Sequence, residues 1–228
     1  MKPPVFIGDI HGNALSLQRV KQHYPCQRYF HIYSGDFIDD KFGIRSDTEI
    51  QYVLDYFITA RYKGVVLHSN HMQVLYLWLR NYLERDKLLK FSNKGWEQTQ
   101  RVVLSLHDDK KQTLFEAISD CKIAASVQYK DFKILASHAV PKPKFVNKGP
   151  EFAPGLSHLE TIGSVRVSSP WWQDNKLLSK RERLSYNSAI CGHYGFIKKM
   201  RDGGNIVCDL RGEQVPVYNY EEEKFKIY

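Results

Sequence analysis

Apolar residues in the first third of the chain come in short runs, each stopped by a polar turn. Val5-Phe6-Ile7 halts at Gly8-Asp9, Tyr29 to Tyr33 halts at Ser34-Gly35-Asp36, and Gly64 to Leu67 halts at His68-Ser69-Asn70-His71. Short apolar runs bounded in this way predict buried strands. Between them the spacing shifts to a helical period. Asn13 opens a segment carrying Leu15, Leu17 and Val20. Ser46 and Glu49 have capping-box spacing, with Ile50, Val53, Leu54, Phe57 and Ile58 on one face behind them. A helix rich in Leu and Tyr is expected from the third run to about Leu89. This β-α-β-α-β-α order predicts parallel strands with right-handed crossovers.

The second half is patterned differently. A helical and polar middle, roughly Trp96 to Asp120, leads to two runs, Ile123 to Tyr129 and Phe132 to Ser137, that flank Lys130-Asp131 and predict a hairpin. Pro141 to Pro170 is irregular. Strands are expected at Ser188 to Cys191, Asn205 to Asp209, Val215 to Tyr220 and Phe225 to Tyr228, and their closeness suggests antiparallel pairing. The expectation is one α/β domain spanning residues 1–228, with mixed sheets packed face to face and flanked by helices.

Composition adds constraints. Hydrophobic residues make up 43% and charged residues 25%, ordinary for a chain that builds a core, so wholesale disorder is excluded. No apolar stretch approaches the ~20 residues of a bilayer span. Met1 to Pro4 leads straight into the first strand without a signal-peptide core, so a cytoplasmic location and no membrane partner are expected. Cys26, Cys121, Cys191 and Cys208 lack CxxC spacing and are read as reduced thiols. A net charge of +8 favours phosphate-bearing partners. The basic residues are spread along the chain without a nucleic-acid motif, so nucleic acid is not expected as the primary partner.

Candidate chemistry gathers at the strand ends, where ligands of open α/β sheets bind. The expected strands deliver Asp9 and His11, Asp36, Asn70 and His71, His138, and His193. Taken singly, each is an ordinary cap, turn or core residue. Together they supply two carboxylates, one carboxamide and four imidazoles without a thiolate, a set suited to Mn, Fe, Zn or a similar divalent ion.

In order along the chain, Gly8-Asp9-Ile10-His11-Gly12, Gly35-Asp36-Phe37-Ile38-Asp39, Asn70-His71, His138 and Gly192-His193 resemble the five-block signature of calcineurin-like metallophosphoesterases. The first block is similar to that of the phosphoprotein-phosphatase branch, which includes phage lambda phosphatase and the symmetrical diadenosine tetraphosphate hydrolases. Lesser echoes are Asn93 to Trp96 and Trp171-Trp172. The resemblance implies a metallophosphoesterase-type β-sandwich with two divalent ions, manganese first and Fe, Zn, Ni, Co or Mg as alternatives. It places Asp9 and His11 on the first ion, Asp36 between the two, and Asn70, His138 and His193 on the second. Such a pair polarises the phosphoryl oxygens and activates water. His71 matches the family's general acid, and Asp39 the carboxylate that orients it.

The phosphate-binding positions depart from the family. Its arginine after Asp39 is missing, since Asp40-Lys41-Phe42-Gly43 follows, and its arginine before the Asn-His pair is His68. Lys41, Arg45 and His68 are the candidate substitutes, although neither Lys nor His reproduces a guanidinium fork. The leading expectation is a phosphomonoesterase of serine/threonine protein phosphatase type acting on a phosphate ester, either phosphoprotein or nucleotide. A dinucleoside polyphosphate hydrolase or phosphodiesterase is the alternative, and a non-catalytic metal-binding regulatory module is the alternative from another class.

Overall fold

The first three apolar runs form β1 (Pro4–Ile7), β2 (Phe30–Tyr33) and β3 (Gly64–Val66), joined by α1 (Ala14–His23) and α2 (Asp47–Ala60). The computed structural model describes residues 1–39, 45–85, 94–143, 146, 177–183, 185–200 and 204–228. Asn13 caps α1 by accepting the Ser16 amide at 3.0 Å. The Ser46–Glu49 capping box is formed in both directions. After β3 come α3 (Asn70–Arg85), α4 (Lys94–Leu104), α5 (Asp108–Ser119) and the hairpin of β4 (Ala124–Tyr129) and β5 (Phe132–Ser137). The chain ends with β6 (Ser188–Cys191), β7 (Ile197–Lys199), β8 (Asn205–Cys208), β9 (Pro216–Asn219) and β10 (Lys224–Ile227).

These strands make two five-stranded mixed sheets, in the orders β10-β9-β1-β2-β3 and β4-β5-β6-β8-β7. β1, β2 and β3 run parallel as the crossovers require, and β9 is antiparallel to both β1 and β10. The expected antiparallel pairing of the late strands holds only in part. β6 pairs in parallel with both β5 and β8. The reason is β7, an unanticipated three-residue return strand on the outer edge, antiparallel to β8. Its sequence, Ile197-Lys198-Lys199, has one apolar residue and no alternation to read. β8 and β9, close in sequence, belong to different sheets.

Burial follows from the two faces of each strand. Val5 and Ile7 face the helices, whereas Phe6 points between the sheets to meet Ile134, Ile190, Ile206 and Tyr218. A further cluster, including Leu135, Ala189, Cys191 and Val207, covers the outer face of the second sheet. Helix α3 is buried on every side from Val74 to Leu79, as a helix apolar all round must be. No helix among the described residues is long and apolar enough to cross a membrane.

Candidate metal centre

The carboxyl ends of β1, β2, β3, β5 and β6 bring their polar residues to one place. Asp9, His11, Asp36, Asp39 and His138 are all at most 2% exposed, and His71 is 8% exposed. Burial of that many ionisable groups is costly unless they partner one another or an ion. Asp36 Oδ2 lies at the centre, 3.6 Å from His11 Nε2, 3.6 Å from His138 Nε2 and 3.7 Å from His71 Nε2. Those separations are too long for hydrogen bonds. They suit ligands of a common cation, because donors about 2.1 Å from one ion stand roughly 3–3.5 Å apart. Two ligand groups result, His11–Asp36–His71 and Asp36–His138–His193, and Asp36 belongs to both.

Hydrogen bonding fixes which ring nitrogens carry protons. His11 Nδ1 lies 2.8 Å from the Asp39 carbonyl, and His138 Nδ1 lies 2.9 Å from the Ser34 carbonyl. A carbonyl only accepts, so both Nδ1 atoms donate, and in the neutral rings both Nε2 atoms are acceptors. His138 Nε2 nevertheless sits 2.8 Å from Asn70 Oδ1 and 3.1 Å from His193 Nδ1. Acceptors converge here.

The charges point the same way. Burial alone would raise the Asp36 carboxyl, but His71, His138 and His11 outweigh it and hold it well below the usual carboxylate range. Burial, resisted by Asp36, pushes His138 down to about 3, so its ring is neutral and suited to ligation. Asp9 is raised, first by burial and then by the neighbouring Asp209 and Asp36 carboxylates. Asp36 Oδ1 is buried without a hydrogen-bond partner among the described residues. A buried surplus of carboxylate and imidazole lone pairs fits divalent cations.

The backbone is bent to build this site. His11, Asp36, Asp39 and His193 have φ values of 44°, 36°, 66° and 71°. Left-handed conformations of this kind cost roughly 1–3 kcal/mol each in residues other than glycine and gather at functional sites. Gly192 is required by proximity, because a Cβ there would overlap Asp9 Oδ1 and press on Ser34.

His71 Nδ1 lies 2.7 Å from Asp39 Oδ2. The Trp96 ring stacks on His71 at a centroid distance of 6.1 Å and 12° between planes. Asp9 belongs to neither ligand group. Its oxygens accept from the Ser34 hydroxyl at 2.5 Å and the His193 amide at 3.1 Å. His68 is fully buried, and burial pushes its imidazole down to about 3 against the pull of Asp36. Arg45 is directed at the loop after β8, where Nη2 donates to the Gly212 carbonyl at 3.0 Å. Lys41, Asn93 and Trp171-Trp172 lie outside the described residues.

Three contributors were missed in the sequence. Ser34 holds both Asp9 and His138, Ser69 Oγ accepts the Asp36 amide at 3.0 Å, and Asp209 is a buried carboxylate close to Asp9. Ser34 and Ser69 directly precede flagged turns, but a serine in a turn carries no signal of its own. Asp209 ends the β8 run, where a carboxylate is an ordinary strand terminus.

No family model and no curated protein matches the chain. Solved structures do. A candidate diadenosine tetraphosphatase is 13% identical with a TM-score of 0.57, covering 100% of this chain and 93% of that one. A protein serine/threonine phosphatase from Saccharomyces cerevisiae is 12% identical with a TM-score of 0.58, covering 100% and 79%. A hypothetical protein from Pyrococcus horikoshii OT3 is 12% identical with a TM-score of 0.56, covering 100% and 87%. The two mixed sheets and their flanking helices therefore have the metallophosphoesterase fold.

Proposed function

We propose that the protein is a dinuclear metal-dependent phosphoric ester hydrolase, first a phosphomonoesterase of serine/threonine phosphatase type. The observation that carries this is Asp36, one carboxylate common to two groups of ligands. Asp9, His11 and Asp36 would hold one ion, and Asp36, Asn70, His138 and His193 the other, with manganese the expected metal. When bound, the ions supply Lewis acidity to the phosphoryl oxygens and acidify a water. The chain supplies the proton. His71 Nδ1 is held by Asp39, which stabilises the imidazolium and leaves Nε2–H to protonate the leaving oxygen. Trp96 against its face restricts the ring to that orientation.

A second reading, hydrolysis of dinucleoside polyphosphates, is favoured by aromatics beside the site. The Tyr194 ring lies 5.4 Å from His193, and the Phe196 ring, 43% exposed, lies 6.2 Å beyond. Such a strip suits stacking of a base. The deciding experiment assays a phosphomonoester, a phosphodiester and a dinucleoside tetraphosphate side by side with Mn²⁺. Preference for the monoester is expected, preference for the tetraphosphate moves the assignment to the second reading, and no turnover with bound metal identifies a non-catalytic module.

A further inference from the structure

Arg211 stands on the loop between β8 and β9 in a conformation that arginine rarely adopts, with φ of 56°. Glycine takes up this conformation without strain, so the backbone does not account for an arginine here. The loop is pinned on all sides. The Arg211 amide donates to Asp209 Oδ1 at 2.6 Å, and Asp209 Oδ2 accepts from the Gly195 amide. Asn13 Nδ2 donates to the Gly212 and Glu213 carbonyls at 3.1 Å each, alongside the contact from Arg45. Gly212, at φ 78°, abuts His11 so closely that a Cβ would overlap the histidine's own Cβ.

The side chain is placed as tightly as the loop. A Cβ on Gly195 would overlap Arg211 Nε, so the guanidinium lies over Gly195, two residues beyond His193. Arg211 therefore stands between the segment carrying His11 and the segment carrying His193. It is exposed, and among the described residues its guanidinium makes no hydrogen bond or ion pair. A guanidinium is a planar fork of donors matched to two oxygens of a phosphate.

We propose that Arg211 is a substrate-binding residue whose guanidinium receives non-bridging phosphate oxygens at the metal centre. This rests on the phosphoesterase reading, and it supplies from the β8–β9 loop the guanidinium fork that a histidine at position 68 does not reproduce. The fork and the pinned loop aim it, so a lysine point charge replaces it only in part.

The test is binding of inorganic phosphate to the manganese-loaded protein by calorimetry, with competitive inhibition of p-nitrophenyl phosphate hydrolysis as a second readout. Arg211→Ala and Arg211→Gly are expected to weaken phosphate binding by ~10–100-fold, the weight of a hydrogen-bonded charge. Arg211→Lys should recover part of that loss, and all three should keep the wild-type manganese content. Arg211→Gly should also melt no lower than the wild type, because glycine fits the conformation. Weaker binding without lost stability separates a ligand contact from a structural one. Unchanged phosphate affinity in Arg211→Gly, or loss of manganese from it, overturns the proposal. If the wild type hydrolyses no ester yet binds phosphate through Arg211, the hydrolase reading fails and the phosphate contact stands. If hydrolysis proceeds with the same KM and phosphate affinity in every variant, only the Arg211 proposal fails.

Discussion

Two buried polar clusters flank β2, one on its helix-facing side and one beyond its carboxyl end, and they differ in how donors and acceptors balance. Beneath α1 and α2, His31 Nε2 lies 2.7 Å from the Tyr24 carbonyl, His31 Nδ1 lies 2.7 Å from the Tyr33 hydroxyl, and Tyr33 lies 2.5 Å from the Tyr56 hydroxyl. The carbonyl forces a proton onto Nε2, so Tyr33 donates to Nδ1 and Tyr56 donates to Tyr33. Every proton in that chain has an acceptor. At the metal centre, His138 Nε2 instead faces Asn70 Oδ1 and Asp36 Oδ2, acceptor against acceptor. Both clusters are buried and both contain histidine. What separates them is that the acceptors at the metal centre call for a cation's charge, whereas burial and residue type are shared.

The largest test removes that charge. Chelation should abolish turnover on every ester, and Asp36→Asn should do the same while losing at least one ion, measured as metal per chain. Two ions in a folded but inactive Asp36→Asn protein would contradict the shared carboxylate. The same chelation should leave the His31 cluster unmoved, as read from the near-ultraviolet signal of its tyrosines.

His71 sharpens the comparison, because geometry groups it with His11 and Asp36 while Asp39 and Trp96 hold it as an acid. A general acid contributes ~10²–10⁴-fold. That contribution is needed for an alkoxide leaving group and hardly at all for p-nitrophenolate. His71→Asn should therefore keep its metal, lose activity on alkyl phosphates in that range, and lose far less on p-nitrophenyl phosphate, with Asp39→Asn behaving alike. If the metal is stripped instead, His71 is a ligand and Asp9 takes no such place.

A smaller effect is expected at Gly192, where there is no room beside Asp9 and Ser34. Gly192→Ala should cost about 1–3 kcal/mol of stability through overpacking, seen in urea denaturation, and should weaken manganese binding. Wild-type behaviour in both measurements would mean that the strand-end loop shifts freely, and the tight support inferred for Asp9 would be wrong.

Much of this was legible in the sequence where signals are local. Turn-bounded apolar runs gave β1, β2 and β3, and the Ser46–Glu49 spacing gave the start of α2. The residues that cluster around Asp36 were legible because their types recur at strand ends. What depends on distant pairing was not. β7 has too little alternation to show, and the parallel pairing of β6 with β8 follows from it. His68 stands two residues before Asn70, and its full burial follows from the turn between β3 and α3, which local sequence does not show. Asp209 comes near Asp9, and Gly212 near His11, only through the crossing between sheets, which no spacing announces.

The smallest effect tests the balanced cluster. Burial lowers the His31 imidazole below its ordinary value, against the pull of the Tyr24 carbonyl. The sign follows from linkage. In the unfolded chain His31 takes up its proton near pH 6.5, and in the folded chain only at lower pH, so the unfolded state binds more protons below about pH 6.5. The stabilisation from neutral His31 is complete above that pH and declines as pH falls toward the folded value, by at most ~1.4 kcal/mol per pH unit. Protonation would also place a second donor on Nδ1 and force the Tyr33–Tyr56 hydrogen bond to reverse. Urea denaturation of the chelated protein between pH 8 and pH 5 should show stability falling with pH, and His31→Gln should fall less steeply. Parallel curves would mean that His31 titrates alike in both states, and the cluster would then be no better closed than the metal centre.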